Sequence, residues 1–179
     1  MPARGLRYVA FLRAINVGGH TVKMDRLRAL FEKLKLRNVE TFIASGNVLF
    51  DAPAGNESVL EGKIERHLQA ALGYDVMTFV RSGAELASIV AFEPFEDAGK
   101  HSLFVTFLKC APDPAMRKKI LDLRNPSDDF TIRGKEVYWL SRAGFSGSKA
   151  AVPLGKICAA GTARNVTTVR KLAAKTAPS

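Results

Sequence analysis

The chain has 179 residues, of which 47% are hydrophobic, so it is long enough to bury a substantial core in one domain or two small ones. No apolar run approaches the roughly 18 residues that a membrane-spanning helix needs, which excludes a spanning segment and predicts no membrane partner. The two cysteines show neither disulfide nor zinc-ligand spacing, so we expect a reducing, cytoplasmic setting with no metal and no cofactor.

The net charge of +10 is distributed unevenly. Residues 1–100 contain 13 Lys and Arg against 12 Asp and Glu, whereas residues 101–179 contain 14 against 5. Beyond Glu136 the sequence has no acid, and seven bases follow: Arg142, Lys149, Lys156, Arg164, Arg170, Lys171 and Lys175. This pattern predicts an anion-seeking surface in the carboxy-terminal third. The alternative is a solvated basic face that only aids solubility.

The first half of the chain alternates strand and helix signals. The apolar run RYVAFLR, residues 7–13, predicts a buried strand. Apolar residues recur at helical spacing over residues 24–36, which predicts a helix. Gly46 and Asn47 then separate two strand-like segments, and a Gly-Asn link is typical of a two-residue type II′ hairpin.

A second helix and a fourth strand complete this half. Ser58 and Glu61 have the spacing of a capping box, and Gly73 supplies a helix end. The segment DVMTFVR, residues 75–81, predicts the fourth strand. The order βαββαβ is typical of a ferredoxin-like lobe, in which two helices pack on one face of an antiparallel sheet.

The second half begins the same order again. Residues 101–109 predict a strand, Asp113 followed by Pro114 predicts the start of a helix, and Gly134 with Lys135 predicts another hairpin. These elements give βαββ without a clear last strand.

The remaining residues predict two helices broken near Gly161, the last one capped by Asn165 or Thr162. The expected fold is therefore α+β, with a ferredoxin-like lobe over residues 1–90 and a second, incomplete lobe with basic carboxy-terminal helices over residues 91–179.

The segment RAINVGGHTVK between the first strand and the first helix predicts an anion pocket. Arg13 ends the strand, Gly18 and Gly19 allow positive φ so that successive N–H groups can converge, and Lys23 precedes a helix amino terminus. The alternative is a wide turn that needs its glycines, with both bases as ordinary surface charges.

Three motifs carry a resemblance to a known family: the INVGG loop with Lys23, the SGNV hairpin and the closing TxRNxxTVxKL pattern. Over roughly residues 7–173 the chain resembles the bacterial family named domain of unknown function 1697. Members usually have Gly at the position of Ala14 and an aromatic residue at that of Val166. The resemblance implies paired ferredoxin-like lobes and brings no established activity.

The family motifs and the loop contain polar residues and glycines that suit phosphate recognition. Arg and Lys supply charged donors, and Asn and Ser supply neutral ones. We predict ligand contacts from Arg13, Asn16, Gly18, Gly19, Lys23, Ser45, Asn47, Ser148, Lys149, Arg164, Asn165 and Lys171. The competing roles are helix capping for Ser148 and Asn165, and a solvated helix face for Lys171.

The predicted ligand is a phosphorylated metabolite or a nucleic-acid backbone. Ferredoxin-like sheets bind RNA when exposed aromatic residues stack on bases. Here the strand aromatics Phe104, Phe107, Tyr138 and Trp139 are better predicted as core residues.

Two other classes of function stay open. His20, beside the glycines, is a weak candidate for the acid or base of a small enzyme acting on a phosphorylated substrate. No nucleophile elbow, paired carboxylates or metal cluster accompanies it in the sequence, so the prediction leans away from an enzyme. An unpaired strand edge in the second lobe would instead suit a protein-interaction module.

Overall fold

A computed structural model describes residues 5–43 and 46–178. The chain divides into two compact units: residues up to 87 together with those from 172 onward, and residues 88–171. The predicted domain boundaries, 1–90 and 91–179, do not include this return of the last residues to the first unit. Each unit is described by itself below.

The first unit is built on a four-stranded antiparallel sheet of order β2-β3-β1-β4. Its elements, with the helix that follows them, are β1 (Leu6–Leu12), α1 (Met24–Lys33), β2 (Arg37–Thr41), β3 (Asn47–Ala52), α2 (Glu57–Leu72), β4 (Thr78–Ser82) and α3 (Gly83–Ala91). One sheet face packs its apolar side chains, among them Tyr8 and Phe50, against Leu27 and Phe31 of α1 and Ile64 of α2. This arrangement confirms the predicted ferredoxin-like lobe.

The second unit repeats that topology with strand order β6-β7-β5-β8. Its elements, with the final helix, are β5 (Ser102–Phe107), α4 (Pro114–Leu121), β6 (Asp128–Arg133), β7 (Glu136–Ser141), α5 (Gly144–Gly147), α6 (Ala151–Ile157), β8 (Thr162–Asn165) and α7 (Val166–Thr176). The core on one sheet face includes Ile120, Phe130, Trp139 and Leu154.

The prediction that the second lobe lacks its last strand was wrong. Residues 162–165 form β8, which pairs antiparallel with β5 so that Arg164 lies opposite Val105. A four-residue strand is too short to show a period of two, and its pairing partner is distant in sequence. Thr162 is therefore a strand residue, whereas the predicted cap Asn165 is confirmed, since its Oδ1 accepts a hydrogen bond from Thr167 N at 2.8 Å.

The two predicted hairpins have different outcomes. Gly134 and Lys135 form a two-residue link between paired Arg133 and Glu136, with Gly134 at φ 58°, as expected. Asn47 instead belongs to β3, so the first hairpin link comprises residues 42–46, partly outside the described residues. The predicted Gly-Asn link was therefore wrong.

The predicted capping box of Ser58 and Glu61 at α2 is also wrong, because Glu61 accepts a hydrogen bond from the edge strand β4 instead. The cap is Asn56, whose Oδ1 accepts from Ser58 N at 2.9 Å. Glu61 Oε1 accepts from Val80 N and Glu65 Oε1 from Thr78 N, each at 2.8 Å. Because the two glutamates are one turn apart, both face β4, an edge strand of the sheet, and occupy N–H groups that another chain could otherwise pair with.

A buried ion pair strengthens this edge. Arg81 Nη1 lies 3.8 Å from Glu61 Oε1, and the two side chains are 0% and 6% exposed. Arg81 also donates to the Val80 carbonyl at 2.8 Å. A buried charge requires such partners, because removal from water costs several kcal/mol per ion.

We predict that Glu61→Ala lowers the free energy of unfolding by about 3–5 kcal/mol, since it leaves Arg81 as a buried charge without this carboxylate. Urea denaturation followed by circular dichroism measures the change. Ser58→Ala is the matched control and should change stability by no more than about 0.5 kcal/mol, because Asn56 provides the cap. A capping box would be indicated if Ser58→Ala cost as much as Glu61→Ala.

Candidate functional site

Parts of the first unit meet at one end of its sheet: residues 13–23 after β1, Gly46 before β3 and residues 73–77 before β4. Leu12 N donates to Gly46 O at 2.7 Å, and Arg13 N donates to Met77 O at 2.9 Å. A Cβ added at Gly46 would lie 2.9 Å from Ile15 Cγ2. Gly46 of the SGNV motif therefore lies against Ile15 of the INVGG loop, although the two are separate in sequence; the predicted site residue Ser45 lies outside the described residues.

The INVGG loop (Ile15–Gly19) is held by a hydrogen bond from the side chain of Asn16, and its two glycines are exposed to solvent. Asn16 Oδ1 accepts from Val22 N at 2.7 Å, which ties the loop to the residue before Lys23. Gly18 and Gly19 have φ values of 68° and 84°, as predicted, and a Cβ at either position would meet no atom within 4 Å. These glycines serve conformation rather than close packing.

Two cations flank the INVGG loop, and neither forms an ion pair with a described residue. Arg13 is half-buried, with Nη1 3.8 Å from Met77 Sδ. Lys23 is exposed at the cap position of α1, and its side chain accepts no hydrogen bond there. The first-turn N–H groups of α1 therefore have no side-chain acceptor from the cap residue.

The exposed ring of His20 stacks on Tyr74, with ring centroids 3.8 Å apart and planes inclined by 19°. Tyr74 is held in turn by a hydrogen bond from its hydroxyl to Ile15 O at 3.1 Å. No described carboxylate bonds to the imidazole of His20, so the orienting partner of a general acid or base is absent from this part of the chain. Sequence reasoning missed Tyr74, because only the fold brings it to the loop.

The remaining predicted residue of the first unit, Asn47, is fully buried in β3. Its Nδ2 donates to Phe42 O at 3.0 Å, while Phe42 N donates to Asn47 O at 2.9 Å. These bonds shape the hairpin link, and ligand contact by Asn47 stays a prediction.

In the second unit, Ser148 belongs to a buried polar network around Asp128. Ser148 Oγ donates to Asp128 Oδ1 at 2.7 Å and accepts from Ala150 N at 3.0 Å, as in the predicted capping role. Trp139 Nε1 also donates to Asp128 Oδ1, at 2.8 Å. Burial alone would raise the pKa of Asp128, but hydrogen bonds from Ser148, Asn125, Trp139 and Ser141 together hold that pKa below its ordinary value.

Arg164 is buried rather than presented to solvent, and it is 9% exposed. Its Nη1 donates to Thr162 Oγ1 at 2.8 Å and Ala163 O at 2.9 Å. Burial lowers the pKa of Arg164 to about 10, which still leaves it charged at neutral pH. Of the other predicted contacts in this unit, Lys149 and Lys171 are exposed.

Several carboxy-terminal bases that lack nearby acids in the sequence have them in the structure. Arg142 Nε lies 2.9 Å from Asp97, Arg170 Nη2 3.8 Å from Glu93, and Lys175 Nζ 2.5 Å from Glu40. The partners lie far upstream in the chain, so a count along the sequence overstated the unopposed charge. Within the described part of this stretch, the exposed bases that form no ion pair are Lys149, Lys156 and Lys171.

The comparisons with known proteins identify the family. The family model for a protein of unknown function, DUF1697, matches residues 6–138. The chain belongs to the DUF1697 family. A solved structure described as the conserved bacterial protein SP0830 from Streptococcus pneumoniae is similar to it in fold, with a TM-score of 0.80 and 22% identity over 96% of this chain and 98% of that one. A search of curated proteins found no match.

The described residues contain neither a metal-binding cluster nor a membrane-spanning helix. No group of three or more His, Cys, Asp or Glu side chains among them is placed to hold a metal ion. None of the helices in residues 5–43 and 46–178 is both long and apolar enough to cross a membrane. The expected cytoplasmic location stays a prediction.

Ala14 provides a test of backbone strain beside the INVGG loop. Its φ is 54°, in the left-handed region that Gly adopts without strain. We predict that Ala14→Gly raises the free energy of unfolding by about 0.5–1 kcal/mol, because relief of strain exceeds the added entropy of the unfolded chain. Urea denaturation measures it, and Ala29→Gly, the same change inside α1, should instead cost about 1 kcal/mol. Equal destabilisation by both changes would contradict strain at Ala14.

Ser148 provides a pH-dependent test. We predict that Ser148→Ala destabilises the protein by about 1–2 kcal/mol at pH 7, because it removes a cap and a bond to a carboxylate. The native Asp128 contribution is present above its unfolded pKa of about 3.9 and is lost as pH falls through its lower folded pKa. The difference in unfolding stability between the native protein and Ser148→Ala should therefore be smaller at pH 3 than at pH 7. Thermal unfolding at pH 7 and pH 3 measures the gap, with exposed Lys149→Ala as the control; a gap that stays constant would contradict the network.

Proposed function

We propose that this DUF1697 protein binds a phosphate-bearing anion at the INVGG loop. The observation that carries the proposal is the pair of flanking cations, Arg13 and Lys23, neither of which forms an ion pair with a described residue. Some bases elsewhere do meet distant acids, as in the Lys175–Glu40 pair, whereas Arg13 and Lys23 are two bases without an acid on either side of one loop. Neighbouring cations without an acid favour an anionic partner.

The backbone supplies further donors to such an anion. Gly18 and Gly19 are exposed, and their positive φ values suit a concave arrangement of successive N–H groups. Lys23 at the cap position contributes no acceptor to the first turn of α1, and the acid in that turn, Asp25, is paired with Arg28 at 3.3 Å. The positive end of the α1 dipole therefore adds to the charge of Lys23. In the second unit, Asp113 Oδ1 accepts from Met116 N at 2.7 Å and occupies the corresponding helix start.

Recognition of phosphate by the loop is better supported than stacking of bases on a sheet. The strand aromatics Phe107, Tyr138 and Trp139 are all buried, as predicted for core residues, and Phe104 packs against the same core as Trp139. An RRM-type surface of exposed ring faces is therefore missing from the described strands. We confine the proposed site to the first unit; contributions from Ser148, Lys149, Arg164, Asn165 and Lys171 are not needed for it.

The charge pair gives a direct test. Arg13→Ala combined with Lys23→Ala should reduce affinity for a phosphate-bearing probe, ribose 5-phosphate, at least tenfold, because both full charges of the site are removed. Isothermal titration calorimetry at low and near-physiological salt measures the affinity. Unfolding free energy should change by only about 0.5 kcal/mol per substitution, as for other surface positions.

The matched control is Lys33→Ala combined with Arg37→Ala, which removes the same formal charge from exposed positions at the other end of α1 and the start of β2. This control should retain native affinity. If both double variants lose affinity equally, only a nonspecific basic surface binds the probe. If the Arg13/Lys23 variant keeps native affinity, the INVGG loop is a structural turn.

A further inference from the structure

We propose that the anion bound at the INVGG loop is a nucleotide, whose base stacks on the exposed ring of His20. The inference rests on the proposed function and names its ligand class. The decisive feature is the His20–Tyr74 ring pair, which is separate from the cations and glycines that would hold phosphate.

The ring pair is built as a fixed platform. Tyr74 covers one face of the His20 ring, with centroids 3.8 Å apart, and His20 as a residue is exposed. The opposite ring face is the surface that this proposal assigns to a base. Tyr74 is half-buried, and its hydroxyl is bonded to Ile15 O at 3.1 Å within the loop itself. Because Tyr74 supports one face of the His20 ring, the ring loses little side-chain conformational entropy when a ligand stacks on it.

The platform lies beside the phosphate-binding groups. His20 directly follows Gly19, so their Cα atoms are about 3.8 Å apart, and Lys23 is three residues further on. Val17, two residues before Gly19, is 63% exposed and adds an apolar side chain to the same loop. A ligand with a planar ring and a phosphate matches this combination better than inorganic phosphate or a sugar phosphate does, because neither of those has a ring face to stack.

Stacking explains His20 better than proton transfer does. A general acid or base needs a partner that orients its ring nitrogens, and no described carboxylate bonds to this imidazole. Stacking needs only the ring face, and every base has a complementary π-face. The stack should therefore accept several bases with little sequence preference.

The test compares ligands that share a phosphate and differ in the base. In calorimetric titrations of the full chain, AMP and UMP should each bind about 5- to 150-fold more tightly than ribose 5-phosphate, the range expected for one base stacked on an aromatic side chain. His20→Ala should lower the affinities for AMP and UMP to that for ribose 5-phosphate and leave the latter unchanged. His20→Phe should restore preference for the nucleotides.

Two results overturn parts of the argument separately. If ribose 5-phosphate binds as tightly as AMP and His20→Ala changes neither, the base platform is wrong while anion binding stands. If no probe binds even at low salt, both proposals fail. Because His20 is exposed, its variants should fold, which circular dichroism checks.

The same chemistry could come from a free nucleotide or from a single strand of nucleic acid. A single-stranded RNA oligomer that binds more tightly than AMP, with a steeper loss of affinity in salt, would identify the strand as the source. Equal affinity per site with a shallow salt dependence would identify the free nucleotide. In both cases the proposal also requires that His20→Ala lowers the affinity for the base-bearing ligand.

Discussion

The bonds between α2 and the edge of β4 are the constraint on which the rest of the first unit depends. Glu61 and Glu65 hold two N–H groups of β4, and Arg81 stabilises the buried charge of Glu61. These contacts fix where α2 ends relative to the sheet, and hence where the following turn places Tyr74 and Met77. Tyr74 then bonds to the INVGG loop and Met77 to Arg13, so the candidate site inherits its shape from a buried ionic contact elsewhere in the unit.

The two units place a buried arginine at the same point of their shared topology. Each fourth strand carries a buried arginine at a corresponding register, Arg81 opposite Val9 and Arg164 opposite Val105, and each is followed by a polar residue that hydrogen-bonds within the next helix. Arg81 has a carboxylate partner at 3.8 Å. Arg164 bonds to a hydroxyl and a carbonyl, and burial lowers its pKa. In both units the shared backbone thus gives a buried guanidinium hydrogen-bond partners.

The elements predicted correctly are those whose signals are local. The apolar period of α1, the Asp113 cap and the Gly134 turn depend on residues within one helix turn or one hairpin, and all three are present. Glu61 was assigned to a capping box because its spacing from Ser58 fits one, but a partner 19 residues away on β4 takes its carboxylate. No local pattern distinguishes these uses of a glutamate.

The unopposed charge of the carboxy-terminal stretch was overestimated for the same physical reason. Charge counted along the chain cannot register that Lys175 meets Glu40, 135 residues upstream. For the candidate site, the sequence did predict the positive φ of Gly18 and Gly19 and the neighbouring bases. It could not predict the ring of Tyr74 or the contact of the two family motifs, because both depend on tertiary packing.

The INVGG loop is where several departures from local rules coincide. Within about ten residues the chain holds Ala14 in a left-handed conformation, exposes two glycines and begins α1 with a lysine instead of a capping side chain. Each departure lowers the stability of the folded chain, and no neighbouring residue in the sequence compensates for it. The second unit shows that the fold does not demand them, because its first helix begins with Asp113 as a capping residue. A bound anion would offset the cost of the missing cap, since it would accept hydrogen bonds at the start of α1 and pair with the charge of Lys23.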